Sequence, residues 1–396
     1  MFAIEILSNF TGINNKPAKI PSVALKKAKI MDSLFFKPIQ FLWLLLLAAI
    51  LSSCGSSTSL TTRYAPFHPA NNTAVNFTFN TSDNDGIARA ELFVYEYELY
   101  VNPDNNMRSA RQRPGGQWGF VRDWNYDPEP TSANETHNFS AGFAAGSFVR
   151  FLVRITDGKG RNKSEDWYFA AGDWPYGNSP IPILGKGAPA KTIDVAFVAD
   201  RTDYSSGRDM LPDLEGLIFD GYHINNAIRN RRQLWSFYYS PQRGFISDYD
   251  SGVLTMDIPS SVSNSSIIDH AAVIHTTVKR DWASGGNFGT EPTNIGTAVH
   301  ESGHSSFGLA DEYNSGNCRT SSDPYHNVYS SRSAAETYNT DHGWPTSDVE
   351  EIFSGCFRVE PSSLNCIMLN DGDATMPDFE RSCILRTIWY YSELTN

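Results

Sequence analysis

The chain has 396 residues, 40% of them hydrophobic, 13% aromatic and 19% charged, with 29 glycines and 21 prolines. That composition excludes a wholly disordered, coiled-coil or collagen-like protein and supplies apolar residues for at least two cores. The 32 Lys plus Arg stand against 44 Asp plus Glu, a net charge of −12. With no basic tract in the chain, this argues against nucleic acid or anionic lipid headgroups as the main partner.

The N-terminal region carries an address. Phe41 to Leu51 is an eleven-residue apolar run, long enough for the core of a signal peptide and short for a membrane span. It ends in Leu51-Ser52-Ser53-Cys54, which resembles the bacterial lipobox, where the cysteine is lipidated and the peptide is cut before it. The expectation is a signal peptide over 1–53, with Met31 the better start and Lys37 its positive flank, then a tether over 54–63. The alternative is an uncleaved N-terminal anchor. Past Cys54 the mature part carries 26 basic against 42 acidic residues, a net of −16. Either way the body is expected outside the cytoplasm; with Cys54 lipidated, it is anchored in the envelope of a diderm bacterium and faces either the periplasm or the surface.

From 64 to 174 the sequence is a series of short alternating or aromatic runs, among them 74–79, 90–97 and 148–155, separated by Asp/Asn/Gly turns. This pattern predicts a β-sandwich. Asp83-Asn84-Asp85-Gly86-Ile87 and Val153 to Gly160 resemble bacterial immunoglobulin-like or fibronectin type III modules. Trp118, Trp124, Tyr126 and Trp167 are expected in the sandwich core, with a glycan-binding surface as the alternative.

Residues 175–190, rich in proline and glycine, predict a linker. A second domain is expected over 191–396. There Ile193 to Val198 reads as a buried strand, and 209–234 follows a helical period with Leu214, Leu217, Ile218, Tyr222, Ile224 and Ile228 on one face. Residues 234–239 and 271–278 read as further strands and 285–289 as a loop or irregular edge. The order predicts an α/β domain with a helix packed on a twisted sheet.

The chemistry is concentrated in Ala298-Val299-His300-Glu301-Ser302-Gly303-His304. On a helix, residues four apart share a face, so His300 and His304 can both reach one Zn²⁺ while Glu301 stands beside the water to be activated. Thr290 to Thr297 offers capping chemistry, Ile295, Ala298, Val299 and Phe307 an apolar face, and Gly308 a helix end. A catalytic zinc needs a third protein ligand and one open position. The metzincin peptidases place that ligand after a glycine, in H-E-x-x-H-x-x-G-x-x-H/D. Here one extra residue precedes Gly308, which puts Asp311 in the equivalent place and Ala310 in the strict one. Asp311 is therefore the expected ligand, with Glu312, His342, His326 and Glu336 as alternatives. Asn365-Cys366-Ile367-Met368-Leu369 resembles the metzincin Met-turn, with Met368 packed under the histidines. Where some metzincins carry an oxyanion-binding tyrosine, two residues later, this chain has Asn370, so Tyr313 and His342 are the candidate electrophiles.

Four cysteines, Cys318, Cys356, Cys366 and Cys383, fall in the last eighty residues. In an exported chain they predict two disulfides, Cys318 with Cys356 and Cys366 with Cys383. The spacings lack a C-x-x-C pair, which disfavours a four-thiolate zinc site. Asp371, Asp373, Asp378 and Glu380 form an acidic cluster that matches no calcium loop and reads as a solvated turn.

From His300 to Tyr313, with the specific run Leu309-Ala310-Asp311-Glu312-Tyr313, the chain resembles the IgA-peptidase-like family of bacterial zinc metallopeptidases. The Ile193 to Asp200 strand and the Cys366-Ile367-Met368 turn extend the resemblance over roughly 190–390. It implies a multidomain protein, a β-sandwich before a metzincin-like α/β domain. Its ligands would be His300, His304 and Asp311, and its general base Glu301. Where Asp200 to Tyr204 stands, an Asp-Gly-Tyr type turn is more usual, and cleavage of immunoglobulin A itself is not implied. The expected function is a lipid-anchored zinc endopeptidase acting on proteins, peptides or glycoproteins, monomeric and without nucleic acid. The rivals are a surface adhesin with a vestigial zinc site, and a zinc hydrolase of a non-peptide amide or ester.

Overall fold

The computed structural model describes residues 58–101, 108–174, 177–185, 192–313, 318, 326–369 and 378–395. The expected signal peptide over 1–53, Cys54 and the start of the expected tether lie outside them, as do Asn370, Asp371 and Asp373. None of the described helices is long and apolar enough to cross a membrane.

The chain is mostly β-sheet. Its first half makes β1 (Ser59–Ala65), β2 (Val75–Ser82), β3 (Ile87–Val101), β4 (Arg108–Gln112), β5 (Trp118–Asn125), β6 (Ser132–Phe139), β7 (Ser147–Asp157) and β8 (Asn162–Ala171). One sheet has the order β1-β2-β6 and the other β4-β3-β7-β8, with β5 also paired to β3, and every pairing is antiparallel. Strict alternation drives this: in β7 Val149, Phe151, Val153 and Ile155 are buried between more exposed neighbours. The two inner faces meet in an aromatic core, where Tyr64 stacks on Phe169 at 4.0 Å and Phe77 meets Phe151 at 5.3 Å. Of the four aromatics expected in the sandwich core, Trp167 lies in it and Trp124 and Tyr126 pack against it, partly buried. Trp167 is fully buried and stacks on His223, Trp124 packs edge-on to Phe79, and Tyr126 donates to Glu135. Trp118 is the exception, 44% exposed beside Tyr95 and Tyr97.

The second half is built on a six-stranded sheet. Within the stretch whose composition predicts a linker, Ile181–Leu184 forms a fully buried strand, β9. It is followed by β10 (Ile193–Ala199), β11 (Trp235–Tyr239), β12 (Phe245–Ile246), β13 (Met256–Asp257), β14 (His270–Ile274), β15 (Ala283–Ser284) and β16 (Asn287–Thr290). The sheet order is β15-β16-β14-β10-β11-β9, parallel within and antiparallel at both edge strands. Strands β10, β11 and β14 are buried at every residue, as expected of central strands covered on both faces.

Three expectations are corrected here. Residues 209–234 make no single helix but a series of short turns and helices, the longest Leu211–Gly216 and Leu217–Tyr222. Asn225 interrupts the run by capping a new turn, its side chain accepting from the N–H groups of Ala227 and Ile228. Leu214, Leu217, Ile218, Tyr222 and Ile228 are still buried, whereas Ile224 is exposed. The strand expected over 271–278 ends at Ile274, because the Thr276 and Thr277 N–H groups turn to Asp203 and leave Val278 exposed. The glycine-containing stretch 285–289 is half strand: Asn287 to Thr290 pairs parallel with β14, and the hairpin back to β15 forms the edge.

Three longer helices complete the chain: α1 (Ile295–Phe307), α2 (Arg332–Asp341) and α3 (Arg381–Thr395). The small sheet β17 (Val328–Tyr329), β18 (Glu350–Phe353) and β19 (Cys356–Arg358) lies between α1 and α3 in sequence. Cys318 and Cys356 are disulfide-bonded. Cys366 and Cys383, expected as the second pair, are free buried thiols, and Cys383 donates its S–H to Glu312 instead.

Candidate metal centre

Helix α1 forms as the local sequence dictates. Asn294 caps its start by accepting from the Thr297 N–H, and Gly308 ends it in the left-handed region at φ 66°. The Leu309 N–H then returns to the Gly303 carbonyl and the Gly308 N–H to that of His304. This reversal sends Leu309 to Tyr313 back across the histidine face, which is how Asp311 reaches it.

His300 and His304 each spend Nδ1 on a backbone carbonyl, Ile367 O and Leu309 O, both at 2.8 Å. A carbonyl only accepts, so both Nδ1 atoms carry the proton and both Nε2 atoms turn a lone pair inward. Those atoms are 3.1 Å apart, and Asp311 Oδ1 lies 3.1 Å from one and 3.0 Å from the other. Three donor atoms converging this closely could hold a metal ion between them. A tetrahedral site with bonds of about 2.0–2.2 Å to nitrogen and oxygen sets its ligands ~3.3 Å apart, so this triangle fits a small divalent ion with little adjustment.

Of the alternatives for the third ligand, the structure brings none to the triangle. Glu312 is fully buried and turned away, with its Oε1 on Asn327 Nδ2 and on Cys383. His342 sits at the end of α2, stacked on Trp344, with Nδ1 bonded to the Tyr338 carbonyl. His326 meets Tyr329, and Glu336 lies on α2 beside Arg332. His342 is accordingly not gathered to the site as an electrophile either.

A cleft of about 510 Å³ opens over the triangle, walled by Glu301, His304, Asp311 and Tyr313 on one side and by residues 279–286 with Tyr249 on the other. Glu301 thus stands beside the ligands on α1 and faces the space a substrate would enter. Tyr313 is 40% exposed there, its ring 6.2 Å from that of His300. Underneath, Met368 is fully buried, and a methyl group added at Gly303 would meet its sulfur at 2.6 Å. The Met368 carbonyl also accepts the Glu312 N–H at 2.9 Å, so the turn holds both the helix and the Asp311 segment.

Two supports are invisible in the motif. Asn327 clamps the ligand segment, its amide bonding both the N–H and the carbonyl of Ala310 at 2.9 and 2.6 Å. His275, wholly buried, bonds the Thr277 carbonyl through Nδ1 and Asp281 through Nε2, and so fixes the far wall of the cleft. Burial works against its charge, but the Asp281 carboxylate prevails and raises its pKa. Neither residue has a local sequence signal, since each acts across a turn or a long loop.

No family model matches the chain, and no curated protein matches it. Among solved structures it is similar over 31% of its length to the sporulation control protein Spo0M of Bacillus subtilis, at 12% identity, TM-score 0.22 and 51% coverage of that chain. A mutant beta-glucosidase from Listeria innocua is similar over 30%, at 8% identity, TM-score 0.18 and 17% coverage of that chain. The chain therefore spans about half of the first and under a fifth of the second, and at such scores neither likeness bears on its fold or activity.

Proposed function

We propose that this chain is an exported, lipid-anchored zinc metalloendopeptidase, with a β-sandwich ahead of a metzincin-like α/β domain of the IgA-peptidase-like kind. The observation that carries the reading is the convergence of His300 Nε2, His304 Nε2 and Asp311 Oδ1 at 3.0–3.1 Å beside Glu301 in an open cleft. Three donors of two imidazoles and one carboxylate suit zinc and leave a position for water, which a structural site with four protein ligands does not. When bound there, zinc supplies Lewis acidity toward water and the scissile carbonyl.

The residues do the rest. Glu301 takes the proton of the attacking water and returns it to the departing amine nitrogen, which breaks the peptide bond with atoms and charge in balance. The Tyr313 hydroxyl, at the cleft mouth, donates to the oxygen that gains negative charge. Strand β15 is the sheet edge on the cleft wall, and its free backbone groups can hold an extended polypeptide by strand addition. Lipid attachment at Cys54 and a position in the cell envelope rest on the sequence of residues 41–54.

The test is a broad peptide library incubated with zinc-loaded protein and with its Glu301→Ala form, read by mass spectrometry. Cleavage by the wild type alone, with equal zinc in both, is expected. Intact peptides in both, at full zinc occupancy, would overturn the peptidase reading in favour of a binding protein or a non-peptide hydrolase.

A further inference from the structure

Asp311 and Glu312 are consecutive and point to different places. Glu312 enters a closed cluster with Cys366, from the turn under α1, and Cys383, from the first turn of α3. One Glu312 carboxylate oxygen and the two sulfurs all lie within 4.8 Å of one another, and all three residues are fully buried. Beside them Glu360 is 1% exposed, its Oε1 accepting from the Ser382 N–H and hydroxyl at 2.9 and 2.6 Å.

This is an unusual set to bury. Two carboxyl groups and two thiols share one region, and Arg358 is the cation in contact, donating to the Glu312 carbonyl and to Glu350. Glu312 Oε2 and Glu360 Oε2 are both buried with no hydrogen-bond partner. Leaving a buried carboxylate oxygen unpaired is costly, so Glu312 Oε2, in the residue that also faces the two sulfurs, points to something that takes its electron pair.

We propose that Glu312, Cys366 and Cys383 form a second metal site, for a thiophilic divalent cation such as Zn²⁺. Two sulfurs and a carboxylate oxygen at these separations can supply three positions of a tetrahedral site with bonds of about 2.3 Å to sulfur. Binding breaks two S–H bonds and releases two protons to solvent, and needs no oxidant. Two thiolates balance the divalent ion, while Arg358 faces the Glu312 charge. With all three donor residues fully buried, the site is structural. It ties the Met368 turn and α3 to the segment that presents Asp311, so it braces the first site from behind without sharing a donor with it.

The test uses the full chain and reads metal, not activity, so it stands or falls apart from the peptidase reading. Wild-type protein is expected to hold two zinc ions per chain. Loaded with Co²⁺, it should show a thiolate-to-cobalt charge-transfer band, which the imidazole and carboxylate donors of the first site cannot give. A His300→Ala, His304→Ala variant should keep one ion and the band. A Cys366→Ser, Cys383→Ser variant should keep one ion and lose the band, and if it fails to fold, the histidine variant decides alone. Loss of all metal and of the band from the histidine variant overturns the proposal. Thiol titration of that unfolded variant then says why: two reactive thiols mean a metal-free hydrogen-bonded pair, and none means a Cys366–Cys383 disulfide.

Discussion

Asp311 and Tyr313 lie two residues apart and should fail in different ways. Asp311 supplies one of three converging donor atoms, at 3.0–3.1 Å from both imidazoles. Asp311→Ala should therefore weaken metal binding at the histidine pair by more than the roughly 10–100-fold typical of losing a residue that only orients a ligand. Tyr313 touches the cleft with its exposed ring and donates no ligand atom. Tyr313→Phe should leave zinc content unchanged and lower kcat by about 10²–10³-fold, as for the loss of one oxyanion donor. Zinc stoichiometry and steady-state kinetics on both variants check the pair. A Tyr313→Phe enzyme with wild-type kcat would remove Tyr313 from the chemistry and leave the ligand assignment standing.

At the scale of elements, what matters is how α1 is braced. Gly303 lets the helix lie directly on Met368, where an added methyl would come within 2.6 Å of the sulfur and 3.2 Å of the Phe379 ring. Gly303→Ala should cost about 1–3 kcal/mol despite the better helix propensity of alanine, because the space beneath is full. In a double-mutant cycle with Met368→Ala, the two losses should be markedly less than additive, since each relieves the other's misfit. The Cys318–Cys356 bond spans 38 residues of sequence. Its removal should cost at most ~4 kcal/mol by loop-closure entropy, measurable as a lower denaturation midpoint of the Cys318→Ser, Cys356→Ser variant. These elements also show which features are legible in the sequence. Helix α1 was, because its cap, its i, i+4 histidines and its terminal glycine are local signals, and Asp311 followed from the turn that Gly308 makes. The broken run over 209–234 was not, because apolar spacing is blind to the capping carboxamide of Asn225. Glu312 and Asn327 were illegible for another reason: which acid faces the histidines depends on a clamp fifteen residues away and on two cysteines over fifty away.

Over the molecule as a whole, the two halves are joined by buried polar contacts as well as by apolar packing. The N–H and carbonyl of Tyr168 on β8 bond those of Gly185 at the end of β9, so the second sheet of the sandwich runs on toward the six-stranded one. Tyr64 donates to the Ile183 carbonyl, and Arg232 pairs with Glu165. His68 is the titratable member of this seam. Its Nε2 donates to the Gly172 carbonyl at 2.7 Å, and its Nδ1 accepts from the Tyr239 hydroxyl at 2.6 Å, an arrangement that fits only the neutral ring. Burial, with the Arg208 guanidinium second, lowers its pKa from 6.5 to about 4. The unfolded chain therefore binds more protons between those values, and the stability His68 contributes is complete above about pH 6.5 and lost as pH falls through 4. The full loss is about 3 kcal/mol by linkage. Denaturant titrations from pH 7.5 down to 3.5, on the wild type and on His68→Gln, measure it as a difference, which cancels the carboxylates that titrate in both. The wild type should lose more than the variant between pH 6.5 and 4. Parallel curves across that window would mean that the seam tolerates an imidazolium, with the Tyr239 hydroxyl rotating to accept from it.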